Sequence, residues 1–227
     1  SSGFVLEDPE TAAKRCVAAL RNQGAQFIIC LSHSGTDGNV KKSEDEQLAK
    51  NVDGIDLIVS GHTHSTLNEP IVVNGAYIVS AGPYCQNLGS ITLEWSEGGE
   101  KTLTDYHLTP IDQNLPEDSA TAALVEDWKA QVGGAYLSRY GLTYDQVLTT
   151  AGFQLDTPDS GVQTGNSLGE LVADSFLWAV QNLEADAPGI PTVTVTADGV
   201  LRAPLPAGEI TTSMAVDVLS MGVGSDG

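Results

Sequence analysis

Two apolar runs on either side of a polar helical segment constrain the fold of this chain more than any other feature. Residues 26–31 and 55–60 have the composition of buried strands, and residues 43–51 between them have that of a short polar helix. Strand–helix–strand order with short connections is typical of a βαβ unit, whose two strands run parallel. The sequence therefore predicts an α/β fold.

Histidines follow both predicted strands. The chain has 4 histidines; His33 comes after the first strand, and His62 and His64 come after the second. The carboxyl ends of parallel strands meet at one edge of a sheet, where such sheets bind ligands. Side chains two residues apart in an extended loop project to the same side, and imidazole nitrogens suit Zn²⁺, Mn²⁺ and similar ions. We predict a metal site here; the alternative is two surface loops with hydrogen-bonding histidines.

Short β-rich runs follow the second histidine loop, at 70–73, 76–80, 90–95 and 101–108. Hairpin turns are predicted at Asn74-Gly75 and at Gly98-Gly99. We interpret the four runs as an antiparallel meander.

Helical patterns flank these strands. Residues 9–23 predict an amino-terminal helix, residues 117–140 a helix that joins two domains, and residues 165–181 an amphipathic helix. Residues 165–167 at the start of the last helix either cap it or bind a phosphate through backbone N–H groups, and capping is the favoured interpretation. Residues 192–196 predict a β-branched strand.

The charge balance excludes several partners. The chain carries 30 Asp and Glu against 10 Lys and Arg, a net charge of −20. Nucleic acid and anionic membrane surfaces are disfavoured because no basic stripe is available to neutralise phosphates. An anion-binding site would need a local cation, which a bound metal supplies. No apolar run reaches the ~20 residues of a transmembrane helix, and no signal peptide is visible.

Cysteines and a run of acidic residues are secondary candidates. We predict that Cys16, on the inner face of the first helix, and Cys30, in the first strand, are buried structural thiols. Residues 44–46 (Glu, Asp, Glu) are either carboxylate ligands or, as we favour, charges that complement a helix dipole.

Longer motifs resemble a known family. Residues 28–35, 45–49 and 53–64 are similar to the last two metal motifs of the calcineurin-like metallophosphoesterases and, more narrowly, of the 5′-nucleotidase family. Residues 73–84, with Leu88-Gly89 after them, resemble later strands of that family. Residues 166–174 and 197–211 resemble the opening helix and the substrate-pocket segment of its carboxyl-terminal domain. The resemblance covers nearly the whole chain.

The resemblance implies a domain organisation. Residues 1–112 would be the carboxyl-terminal half of a metallophosphoesterase α/β/β/α sandwich, and residues 113–143 a linker helix. Residues 144–227 would begin an α/β 5′-nucleotidase carboxyl-terminal domain that binds substrate.

The resemblance also implies a function. His33 and His62 would bind one of two divalent metal ions (Zn, Mn or similar) and His64 the other, while Gly199 and Arg202 would contact substrate. The activity implied is hydrolysis of phosphate esters of nucleotides, outside the cytoplasm (extracellular, periplasmic or cell-surface). Alternatives are a 2′,3′-cyclic-nucleotide phosphodiesterase/3′-nucleotidase, a nucleotide-sugar hydrolase, and a catalytically silent binding or surface protein.

The sequence departs from the family pattern in three ways. The family's opening Asp-x-His, Gly-Asp and Gly-Asn-His motifs, which include its catalytic histidine, do not precede His33. We therefore expect a fragment truncated at both ends and inactive alone. Ala197 replaces a common Asn and Val223 a common aromatic residue, so a phosphoester substrate is better supported than a nucleotide.

Overall fold

The computed structural model describes residues 3, 5–96, 101–157, 165–183 and 193–221. It divides into two units, Ser1–Pro116 and Glu117–Gly227, which are described separately. The three-part domain division given above stays a prediction, and Val223 lies outside the described residues.

The first unit alternates helices and strands. Its first helix begins at Pro9, whose ring suits the first helical position, and Asp8 caps it by accepting a hydrogen bond of 2.8 Å from the Thr11 N–H. The elements are α1 (Pro9–Asn22), β1 (Ile29–Leu31), α2 (Glu44–Asn51), β2 (Leu57–Val59), β3 (Ile71–Val73), β4 (Ala76–Val79), β5 (Asn87–Trp95) and β6 (Lys101–Pro110).

A four-stranded mixed sheet organises this unit, in the order β1-β2-β4-β3. Strands β1, β2 and β4 are parallel, with Leu31 opposite Val59 and Val59 opposite Val79, and β3 is antiparallel to β4. The predicted βαβ unit is therefore confirmed, and the loops after β1 and β2 leave the sheet at the same edge.

The predicted antiparallel meander is wrong. Strands β3 and β4 do form a hairpin at Asn74-Gly75, where both residues have positive φ, but β4 then pairs with β2. Strands β5 and β6 form a separate two-stranded sheet, and the Gly98-Gly99 turn lies outside the described residues. The reason is burial: β4 is buried along most of its length, as a central strand must be, whereas β5 is not.

The core of the first unit lies between the sheet and its two helices. Its buried members are Ala49, Val52, Ile55, Ile58, Ala76 and Ile78. The other face of β1 is open: Ile29 is 52% and Leu31 82% exposed, so the prediction of a fully buried strand is wrong for β1. Cys16 is exposed, contrary to its prediction, because α1 turns Ala13 and Val17 to the core instead.

The second unit is built on the antiparallel pair β7–β8, whose strands are distant in the chain, and on α4. Its elements are α3 (Ser119–Ala135), a 3₁₀ turn (Leu137–Tyr140), β7 (Val147–Ala151), α4 (Ser167–Leu183), a second 3₁₀ turn (Asp198–Val200), β8 (Gly208–Thr211) and α5 (Thr212–Val218). Strands β7 and β8 are antiparallel. Its core consists of Leu168, Val172, Leu201, Leu205, Ile210 and Val218.

The structure of the second unit tests two of the sequence predictions. Capping of α4 is confirmed, because Asn166 Oδ1 accepts hydrogen bonds from the N–H groups of Leu168 and Gly169, at 3.0 and 3.1 Å. The predicted strand at 192–196 is wrong over 193–196, which is irregular, and residue 192 lies outside the described part. There the Thr194 hydroxyl bonds to the Ala173 carbonyl of α4, at 2.7 Å.

None of the helices in the described segments combines the length and apolarity that a membrane crossing requires.

Candidate metal centre

Two of the three predicted ligand histidines lie side by side. His33 follows β1 and His62 follows β2, each within three residues of the strand end, and the parallel pairing of these strands brings the loops together. The centroids of the two imidazole rings are 5.1 Å apart, with planes inclined by 55°. Both residues are exposed, so their nitrogens are accessible to a ligand.

Gly61 lets the two loops approach. A Cβ atom placed on Gly61 would lie 3.2 Å from His33 Nδ1 and 3.4 Å from the Ser32 carbonyl oxygen. Because this spacing is tighter than ordinary van der Waals contact, any larger residue would push His33 away from His62.

His64 is directed elsewhere. Its ring packs edge-on against Tyr84, with centroids 5.3 Å apart and planes inclined by 67°. Tyr84 belongs to a turn that the sequence analysis did not connect with the site, although its Gly82-Pro83 pair is a turn signal.

Backbone strain is concentrated around these side chains. Five described residues other than glycine have positive φ, and four of them are His62, His64, Tyr84 and Cys85, with φ between 55° and 65°. L-residues pay roughly 1–2 kcal/mol in this conformation, so its persistence here is typical of a functional region.

Hydroxyl groups lock the two histidine loops together. The Thr36 N–H donates to Thr63 Oγ1 at 3.1 Å, and the Thr36 hydroxyl donates to Ser65 Oγ at 2.9 Å. Gly35 packs beneath Thr63 with no room for a side chain. The loops therefore behave as one structural piece.

Asp45 and Cys30 lie under the loops. Asp45, which the sequence analysis favoured as a charge that complements the helix dipole, is fully buried and accepts hydrogen bonds from Ser32 and Ser60. Burial, and secondarily the charge of Asp45, raises the pKa of the half-buried Cys30 thiol, which makes it a poor metal ligand near neutral pH. The sequence did offer a signal for these contacts of Asp45, because a serine directly follows each strand: Ser32 follows β1 and Ser60 follows β2.

The histidine side chains present could supply some of the ligands of a metal site. His33 and His62 offer two imidazole nitrogens on one side of the paired loops, a donor type that suits Zn²⁺ or Mn²⁺. No group of three or more His, Cys, Asp or Glu side chains within the described residues is arranged to hold a metal ion.

The two predicted substrate-binding residues lie together in the second unit. Gly199 is in the 3₁₀ turn Asp198–Val200 rather than at a strand end, and its carbonyl accepts a hydrogen bond of 3.4 Å from Arg202 Nη1. The backbone N–H of Arg202 is bonded to the Val218 carbonyl, at 2.9 Å. Open space surrounds the position that a Gly199 side chain would take.

Similar proteins carry the names nucleotide phosphoesterase, apyrase and 5′-nucleotidase. No family model matches the chain. The trifunctional nucleotide phosphoesterase protein YfkN of Bacillus subtilis (strain 168) is 27% identical over 219 residues, which span 94% of this chain and 14% of that protein. An apyrase of Anopheles gambiae is 26% identical over 239 residues, spanning 95% of this chain and 38% of the apyrase.

A solved structure agrees with this likeness. The 5′-nucleotidase precursor of Thermus thermophilus superposes with a TM-score of 0.72 at 25% identity, covering 94% of this chain and 42% of that one. The chain thus spans less than half the length of these relatives. Its homologues and structural neighbours are 5′-nucleotidases and calcineurin-like phosphoesterases, and it shares their mixed α/β fold over most of its length.

Proposed function

We propose that this chain belongs to a metal-dependent enzyme that hydrolyses phosphate esters of nucleotides. The observation that carries the proposal is the adjacency of His33 and His62, two exposed imidazoles at the carboxyl ends of paired parallel strands. The names of the relatives support the substrate class. The chain alone, which offers only two adjacent imidazoles among its described residues, would be inactive.

Each residue has a proposed part. His33 and His62 would hold one divalent cation, and His64, steadied against Tyr84, would serve a second. When bound, two such cations neutralise charge on the phosphoryl oxygens. They would also offset the net charge of −20, which otherwise repels a phosphate. Arg202 would donate hydrogen bonds to the substrate, with Gly199 leaving space beside it.

Two alternatives remain within this proposal. A relative named a trifunctional nucleotide phosphoesterase supports a site that accepts more than one kind of phosphoester, and the first alternative is therefore a 2′,3′-cyclic-nucleotide phosphodiesterase/3′-nucleotidase or a nucleotide-sugar hydrolase. The second alternative is a catalytically silent binding or surface protein on the same fold. We further propose an extracellular, periplasmic or cell-surface location, which cell fractionation would test.

The test is a phosphoester panel assayed on the longest natural protein that carries this sequence. The panel contains a 5′-nucleotide, a 2′,3′-cyclic nucleotide and a nucleotide sugar, each with and without a chelator. We expect phosphate release from the 5′-nucleotide that the chelator abolishes and added Zn²⁺ or Mn²⁺ restores. Activity that persists in excess chelator would contradict metal dependence, and inactivity on every substrate would favour the silent binding protein.

A matched pair of variants tests the site. His33→Ala should reduce activity by at least about 100-fold, the upper end of what loss of an outer-shell partner costs. His107→Ala is the control, because His107 is exposed on β6 and bonded to Asp105. Equal activity of the two variants would remove His33 from the site.

A further inference from the structure

The buried carboxylate of Asp45 reaches both histidine loops at once. Asp45 is fully buried in the first turn of α2. Its Oδ1 accepts a hydrogen bond of 2.5 Å from the Ser32 hydroxyl, and its Oδ2 accepts one of 2.5 Å from the Ser60 hydroxyl and one of 3.1 Å from the Gly35 N–H. Its own N–H donates to the Gly35 carbonyl, at 3.1 Å.

The bonded serines lie where the two loops leave the sheet. Ser32 is adjacent to His33, and Ser60 is two residues before His62. Sheet hydrogen bonds hold the backbone up to these points, from Ser32 N–H to the Val59 carbonyl and from Ser60 N–H to that of Val79, each 2.9 Å. At these points the first residue of each loop, Ser32 or Ser60, donates a hydrogen bond to the Asp45 carboxylate.

Removing the carboxylate would leave several groups without an acceptor. In Asp45→Asn an NH₂ donor replaces one carboxylate oxygen, so the two serine hydroxyls and the Gly35 N–H compete for a single acceptor oxygen, and an unsatisfied buried polar group is costly enough for the loops to rearrange. The rearrangement would act at the bases of both loops, so it would change the separation of the two imidazoles.

We infer that Asp45 is a positioning residue that sets the geometry of the His33–His62 pair from beneath. It acts through Ser32, Ser60 and Gly35, whose hydrogen bonds it accepts. Its importance for metal binding rests on the function proposed above. This role differs from both sequence interpretations, in which Asp45 was either a ligand or a charge on a helix dipole.

The first test compares Asp45→Asn with Glu44→Gln in the 227-residue chain. Both changes remove one acidic charge from the first turn of α2, and with it a favourable interaction with the helix dipole. They differ in burial, because Glu44 is exposed. The readout is the nuclear Overhauser contact between the His33 and His62 rings, with the methyl resonances of Ile58 and Ile78 as a check on the core. We expect Asp45→Asn to lose the ring contact with the core intact, and Glu44→Gln to keep it.

The second readout is metal affinity in the longest natural protein, measured by competition with a chromophoric chelator. Asp45→Asn should weaken Zn²⁺ binding by about 10- to 100-fold, as expected for loss of a group that orients ligands. Glu44→Gln should leave it unchanged. A ring contact that survives in Asp45→Asn, or an unchanged affinity, would overturn the positioning role. If the unmutated protein binds no metal but Asp45→Asn still loses the ring contact, the proposed function fails and the positioning role stands.

Ser32→Ala covers the case in which Asp45→Asn does not fold. It removes one of the three hydrogen bonds to Asp45, together with the one that Ser32 Oγ accepts from the Ser34 N–H, and keeps the carboxylate, so the core resonances should persist. We expect a weakened ring contact and weaker Zn²⁺ binding, and wild-type values for both would overturn the inference.

Discussion

Arg21 of α1 donates a hydrogen bond of 3.0 Å to the buried carboxylate of Asp56, immediately before β2. The same carboxylate accepts a hydrogen bond of 2.7 Å from the Ile28 N–H and forms an ion pair with Lys101 of β6. One side chain therefore connects the first helix, the start of β1 and the β5–β6 hairpin.

Replacing Asp56 should destabilise the first unit strongly. Asp56→Ala removes the acceptor of the buried Ile28 N–H and the carboxylate that pairs with Arg21 and Lys101, although Arg21 keeps hydrogen bonds to two backbone carbonyls. We expect a loss of about 3 kcal/mol in the free energy of unfolding, at the lower end for a broken buried pair because Arg21 and Lys101 still reach water. Urea denaturation would measure it.

The control for this prediction is Asp105→Ala. Asp105 is exposed and pairs only with the exposed His107 among the ion pairs of the described residues, so less than ~1 kcal/mol should be lost. Replacing Trp128 and Trp178 by Phe would leave Trp95 as a fluorescent reporter of the first unit alone. Equal losses for the two aspartate variants would show that Asp56 does not connect these elements.

Gly35→Ala should disrupt the histidine loops. Gly35 has a φ of 97°, and an added Cβ would overlap Thr63 Cγ2. We expect a loss of at least about 2 kcal/mol in stability, from the left-handed conformation and the overlap together. Gly38→Ala, in the same loop with open space around it, should change stability by no more than ~0.5 kcal/mol. Thermal unfolding would measure both variants, and equal unfolding midpoints would contradict this account.

Ser43→Ala should stabilise the chain, unlike most replacements of an N-cap serine. Ser43 is the N-cap of α2, but its buried hydroxyl has no hydrogen-bond partner in the described structure. Removing it should raise the free energy of unfolding by about 1 kcal/mol, the cost of an unsatisfied buried polar group.

The matched control is Asp118→Ala at the N-cap of α3. The Asp118 carboxylate accepts hydrogen bonds of 2.8 Å from both the N–H and the hydroxyl of Thr121. Its loss should cost about 1 kcal/mol, the usual value for an N-cap. Denaturation curves that shift in the same direction for both variants would contradict the distinction between the two caps.

Alkylation should distinguish Cys30 from the other thiols by its pH dependence. Burial, followed by the charge of Asp45, raises the pKa of Cys30, so it stays a neutral thiol to higher pH than an ordinary thiol does, whereas Cys16 and Cys85 are exposed to the reagent. Iodoacetamide should modify Cys16 and Cys85 first, and Cys30 only at higher pH, as peptide mass spectrometry would show. Comparable rates at about pH 8, near the ordinary thiol pKa, would contradict the burial of Cys30.

The sign of the Cys30 effect on stability follows from the same shift. The folded chain holds the Cys30 proton more tightly than the unfolded chain does, because its pKa is raised by folding. This contribution to stability is complete below the unfolded pKa and is lost as pH rises through the folded pKa. Asp45→Asn should move that loss to lower pH, because it removes the negative charge.

Local sequence patterns predicted the elements around the site well. The helical spacing before Gly24, the polar helix after the first histidine loop and the Asn74-Gly75 hairpin turn all appear in the structure. These features depend on propensity, capping and turn chemistry within a few residues. The position of His33 and His62 after two parallel strands followed from the same local reading.

Long-range contacts decided what the sequence could not. The pairing of β4 with β2 rather than β5 depends on which strand is buried on both faces, and the contact of the His64 ring with Tyr84 joins two separate loops. In the sequence, Asp45 is indistinguishable from any acidic residue in the first turn of a helix. Its hydrogen bonds with Ser32 and Ser60 are visible only in the structure. Sequence alone determined the order of the elements and which side chains end the strands. Tertiary structure decided which of them meet, because residues far apart in the chain make those contacts.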